Sequence, residues 1–85
     1  MERLEDLPNI GKVAVRQLIQ VGIESPEKLK AIGAKEAWLK IQAIDDSAYL
    51  NRLYGLEGAV EGIEKSQLDF ETKADLKQFY EDHKL

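Results

Sequence analysis

The chain has 85 residues, no cysteine and a formal net charge of -4. A single modest core is the most that this length builds, so one domain over residues 1–85 is expected. The missing cysteines exclude a disulfide framework, a thiolate metal site and a cysteine nucleophile, and the net acidity argues against broad attraction to nucleic acid or anionic lipid.

No run of alternating apolar and polar residues is long enough for a strand, so the expected class is all-α: a compact domain of five to six short helices. A first short helix over 2–7 ends before Pro8, because a residue preceding proline is pushed out of the helical region. The turn Pro8-Asn9-Ile10-Gly11 leads into a helix from about 12 to 21 with Ala14, Val15, Leu18 and Ile19 as its buried stripe. Gly22 supplies the left-handed residue that commonly ends a helix. "SPEKLKAIG" reads as Ser25 at the N-cap, Pro26 at the first helical position and Gly33 after the last apolar residue, giving a helix over 26–32. The next, about 34–43, carries Ala37, Trp38 and Ile41. "DDS" offers caps for a fifth helix over about 47–63, with Leu50, Leu53, Tyr54, Glu57 and Val60 at helical spacing. The last covers about 70–82, carries Leu76, Phe79 and Tyr80, and frays toward Leu85.

Gly55, Gly58, Ala59 and Gly62 recur at spacings of three and four within "YGLEGAVEGI". Each interior glycine costs roughly 1 kcal/mol relative to alanine, so a second backbone packed closely on this small-residue stripe is expected. That partner is either inside the domain or a second molecule, which makes the four residues a candidate interaction face.

Charge is uneven along the chain: residues 1–44 carry +1 and residues 45–85 carry -5. Any phosphate contact is therefore expected in the first half. In "LPNIG" the proline fixes one dihedral, the apolar residue plugs the turn between its helices, and the glycine lets the backbone bend. The amides near the glycine then open at a helix N-terminus, where an anion is favoured. Lys12 follows directly and Arg16 lies one turn on, so Asn9, Ile10, Gly11, Lys12 and Arg16 form a candidate nucleic-acid contact.

These residues resemble a helix-hairpin-helix motif over about 2–32, "LEDLPNIGKVAVRQLIQVGIESPEKL". DNA-binding members usually have glycine where this chain has Asn9, a residue that also tolerates the left-handed conformation. Beyond the motif, "LPNIGKVAVRQLIQVGIESPEKLKAIGAKEAWLKI" and "YLNRLYGLEGAVEGI" are similar to the C-terminal domain of the TfoX/Sxy family, bacterial regulators of DNA-uptake competence. The resemblance covers about 4–76. Lys65 and Asp69 stand where the family commonly has a tryptophan and a proline. The resemblance implies a regulatory domain, the second of two in the family's competence regulators.

No catalytic constellation stands out. His83 is two residues from the end, Ser25 and Ser47 have no histidine to act as base, and Asp45-Asp46 are adjacent rather than staggered as a calcium loop requires. The chain is thus expected to be no enzyme, with no cofactor, metal or small-molecule substrate. No apolar run approaches the roughly 20 residues of a membrane span, and "MERLEDL" is unlike a signal peptide, so a cytoplasmic location and no membrane contact are expected. Two functional classes remain: a protein-interaction module binding a partner or itself, and a weak, sequence-nonspecific DNA binder working through the hairpin. Net acidity favours the first.

Overall fold

Residues 3–85 are described by the structure, a computed structural model. They form a 3-10 turn at Leu4–Asp6, helices α1 (Lys12–Gln20), α2 (Pro26–Ile44) and α3 (Leu50–Glu61), a second 3-10 turn at Lys65–Gln67, and α4 (Phe70–His83). No strand occurs among them, and the all-α class holds.

The expected first helix begins at residue 2, outside the described residues. Its described part is a single 3-10 turn, closed by an Arg3 backbone N–H donating to Asp6 Oδ2 at 3.1 Å. Leu7, before Pro8, is already extended at φ -76°, ψ 145°, which leaves no room for a full α-turn.

In α1 the buried residues are Ala14, Gln17 and Leu18. Ile19, expected in the buried stripe, is 51% exposed. The stripe is therefore rotated toward i, i+3, i+4 spacing, and a glutamine occupies a core-facing position.

The expected third and fourth helices run together as α2, with a break at Gly33, whose φ of 83° and ψ of 165° are non-helical. Glycine takes that conformation without a Cβ penalty, so one residue redirects the axis. Ser25 caps the start by accepting from the Lys28 N–H at 3.2 Å.

The fifth helix starts later than expected, at Leu50. Asp45 is the reason: its Oδ1 accepts from the Ser47 N–H at 3.0 Å and from the Ser47 hydroxyl, curling the segment into a turn. Asp69 caps α4 by accepting from the Thr72 N–H at 2.7 Å, so a helix start is secured where the resembled family commonly has proline.

One core joins all of these elements, with Leu18, Leu29, Trp38, Ile41, Leu53, Leu56 and Leu76 almost wholly buried. Each such large side chain contributes about 1.5–3 kcal/mol. Trp38 meets Phe79 and Tyr80 edge-on, with centroids 6.1 and 5.7 Å away, and its indole N–H donates to Tyr49 O at 3.3 Å. Gln42 Nε2 donates to His83 O at 2.9 Å, which ties the end of α4 to α2. His83 also stacks on Phe79 at 4.1 Å.

Half-buried Glu57 on α3 lies near the Lys35–Asp75 ion pair that links α2 to α4 at 2.7 Å. Burial first, then the hydrogen bond and charge of Glu61, push its carboxyl up to about 7, with Asp75 adding to the rise and Lys35 opposing it. A carboxyl that holds its proton more tightly when folded adds stability fully present below its unfolded pKa and lost as pH rises through the folded one. Melting temperature should therefore fall between about pH 5 and 8, and Glu57→Gln should flatten this slope. With partial exposure discounted, the variant should melt roughly 2–5 °C higher than the wild type at pH 8. Calorimetry across that range measures both effects.

Candidate functional site

The turn between Leu7 and Gly11 is built around Asn9, which has a φ of 67° and is the one non-glycine residue with positive φ among the described residues. Its side chain points inward across the start of the chain to the far end of α3. Nδ2 donates to Ile63 O at 3.1 Å and to Gly55 O at 3.4 Å, and Oδ1 accepts from the Lys65 N–H at 3.0 Å. One amide thus bonds three backbone groups from two segments, and a glycine at this position would take this partner from the Ile63 carbonyl and the Lys65 N–H, which lie outside the helix.

The small-residue stripe makes room for this clamp. Gly55, Gly58 and Ala59 are buried, and Gly62 is an exposed left-handed cap closing α3. A Cβ on Gly58 would lie 2.5 Å from Asn9 Nδ2, 2.7 Å from Ile63 O and 3.2 Å from Lys65 N. On Gly55 it would meet nothing closer than 3.5 Å. The close contact expected for the glycines is thus made by the hairpin turn of the same chain, and the stripe is not an open face here.

The candidate phosphate residues are split by the same geometry. Asn9 is half-buried and Ile10 is buried beneath the turn, while Gly11, Lys12 and Arg16 face solvent. Gly11 is the N-cap of α1 and makes no side-chain cap bond. Lys12 and Arg16 border a shallow depression together with Val15 and Glu5, and Glu5 is itself ion-paired to Arg3. The two cations therefore share a surface with an acid and stand apart from the Asn9 side chain.

A second constellation lies on the other side of the turn. Gln17 Nε2 donates to Asp45 Oδ2 at 2.7 Å, and Arg52 Nη1 donates to Gln17 Oε1. The Asp45 carboxyl is held below its usual range by the Ser47 hydroxyl, the Gln17 amide and the Ser47 N–H, with Arg52 nearby. This relay fixes Arg52 on the wall of a cavity of about 260 Å³, bordered also by Asn9, Ser47, Tyr49, Asn51 and Lys65. Sequence reasoning missed Gln17, Arg52 and Lys65. The polar residue inside an otherwise apolar stripe was the available signal for Gln17; nothing local marks the other two.

Among the described residues, no group of three or more His, Cys, Asp and Glu side chains converges as a metal site requires, and no helix is long and apolar enough to cross a membrane.

Fold and site together define a small all-α domain whose N-terminal turn is locked onto its third helix. Residues 1–80 match the TfoX C-terminal domain, and the chain belongs to that family. It is 33% identical over 78 residues to Protein Sxy of Escherichia coli (strain K12), covering 92% of this chain and 37% of that protein. Its fold is also that of an uncharacterized protein from Listeria monocytogenes in a triclinic crystal form: the TM-score is 0.94 and the identity 47%, over 95% of this chain and 92% of that one. A tetragonal form of a Listeria monocytogenes protein of unknown function gives 0.91 and 48%, over 93% and 96%. The family is one of competence-related regulatory proteins, and the chain spans little more than a third of its Sxy relative.

The clamp makes opposite forecasts for two neighbouring glycines. Gly58→Ala should destabilise by about 1–3 kcal/mol through overpacking, whereas Gly55→Ala should be neutral or stabilise by up to about 1 kcal/mol through helix propensity. Asn9→Gly retains the backbone freedom but strands the bonded groups, and should cost about 2–4 kcal/mol. Urea denaturation of the three variants measures each change.

Proposed function

We propose that the domain is a non-enzymatic regulatory module of the TfoX/Sxy type that works by binding a protein partner, in a pathway linked to transcriptional control of DNA-uptake competence. The observation that carries this reading is Phe70, 84% exposed at the start of α4. It borders an apolar groove with Tyr54 and Ala74, flanked by Lys73 and Lys77. An aromatic ring left in water next to a groove is the usual mark of a contact surface. The two lysines, one helical turn apart, repel each other and suit an acidic segment carrying an apolar side chain. Family membership supports the regulatory role, and the Sxy relative supports the link to competence.

The second reading, weak nonspecific DNA binding, is favoured by the exposed Lys12 and Arg16 beside the uncapped start of α1. Contacts of this kind position a protein on phosphates without reading sequence.

Two experiments separate the readings. Phe70→Ser, introduced on the chromosome, should reproduce the transcript profile of a gene deletion while the protein remains folded and expressed; a wild-type profile would overturn the interaction reading. In an amide NMR titration with short duplex DNA at low salt, that reading expects no shifts at residues 11–16, on the exposed start of α1. Saturable shifts there, with a logarithmic salt slope of roughly -2 for two neutralised phosphates, would establish the DNA reading instead.

A further inference from the structure

We propose that the cleft between the hairpin turn and the start of α3 is a phosphate-binding subsite, with Arg52 and Lys65 as its cationic walls. It goes beyond the partner reading and involves neither the Phe70 groove nor the outward face of α1.

Charge favours an anion here. The chain has 16 acidic residues against 12 basic ones, yet among the described residues no Asp or Glu borders this cleft, while an arginine and a lysine both do. Asp45 does not itself border the opening, and its carboxylate is engaged by the Gln17 amide and by the N–H and hydroxyl of Ser47. The Lys65 ammonium has no hydrogen-bond or ion-pair partner among the described residues, so its charge is available to a ligand.

Arg52 is held by its side chain and Lys65 by its backbone. Arg52 spends one N–H on Gln17, which is 9% exposed and itself anchored to Asp45. Its guanidinium is therefore oriented while its remaining donors stay open. Lys65 is placed by its own backbone, whose N–H is gripped by Asn9 Oδ1. An arginine already oriented by its neighbours meets an oxyanion with little ordering cost, and a fixed backbone keeps the lysine within reach.

Size and chemistry narrow the ligand. About 260 Å³ lies below the roughly 300–1,000 Å³ of pockets that enclose a drug-sized molecule, and suits a single oxyanion group. Asn51, Tyr49 and Ser47 also border it; the Ser47 hydroxyl already donates to Asp45, which leaves Asn51 and Tyr49 as neutral polar residues beside the two charges. Arginine forks match phosphate oxygens, and lysine adds a point charge. Both a free phosphate monoester and a nucleic-acid backbone present this group.

The test is an amide NMR titration of the whole chain with inorganic phosphate, at ionic strength held constant with chloride. Saturable shifts are expected at Asn9, Asn51, Arg52 and Lys65. Lys65→Gln, which leaves the backbone clamp in place, should weaken binding about tenfold, whereas Lys40→Gln, which removes the same charge from an exposed position on α2, should not. Absence of saturation, unchanged affinity in Lys65→Gln, or equal shifts with acetate would each overturn the proposal. An oligonucleotide lacking terminal phosphates identifies the source: if it shifts the same amides, the ligand is a backbone diester, and if only inorganic phosphate does so, it is a monoester.

Discussion

Everything at the N-terminal end of this domain depends on one side-chain amide. Asn9 sits in a left-handed turn and reaches three backbone groups at Gly55, Ile63 and Lys65. Two of those partners, at Ile63 and Lys65, lie just past the end of α3, where backbone groups lack helical partners, and the third lies within the helix. Without the amide, the C-terminal end of α3 would need water at a packed interface. With it, the beginning and the last third of the chain become one body.

The clamp explains why the third helix tolerates residues that weaken helices. Gly58 leaves no space for a Cβ because the amide and two backbone groups already occupy it, so the propensity lost there is offset by the bonds that the absent side chain permits. Asn9 and Gly58 are consequently a coupled pair. A larger residue at 58 expels the amide, and an apolar residue at 9 removes the need for the gap. The same coupling changes the meaning of the hairpin: a turn whose second residue bends back into the protein has that residue committed to structure, and only Gly11 and the residues after it remain turned to solvent.

Much of this architecture is legible in the sequence, and the parts that are not share a cause. Helical periodicity places Trp38, Ile41 and Leu76 in the core, and Ser25-Pro26 marks the start of α2, because these signals are local. Gly33 marks the break in α2 for the same reason. Gln17 escapes because periodicity ranks residues by hydrophobicity, and Ile19 looks the better core candidate. In the fold Gln17 is buried by its bonds to Asp45 and Arg52, which lie 28 and 35 residues away. The Asn9 clamp spans 46 to 56 residues, beyond any pattern read in a short window. Helix starts set by side-chain turns mislead in the opposite sense: "DDS" looks like a cap for the helix it precedes, but Asp45 bonds to Ser47 and delays that helix to Leu50.

Charge averaged over segments misleads about the site in the same way. The half of the chain with net charge +1 contains Lys12 and Arg16, which the fold leaves exposed on a surface they share with Glu5. The half with net charge -5 contains Arg52 and Lys65, which the Gln17 relay and the Asn9 clamp carry to a cleft beside the same turn. Electrostatic potential at a cleft depends on the charges that line it and on how far opposing charges are kept away. Here the carboxylate of Asp45 is engaged by Gln17 and Ser47 and does not border the cleft. The more acidic half of the sequence thus supplies both cations of a cleft that no carboxylate borders among the described residues, and the residues that arrange this are neutral: an asparagine and a glutamine whose amides bond in two directions at once.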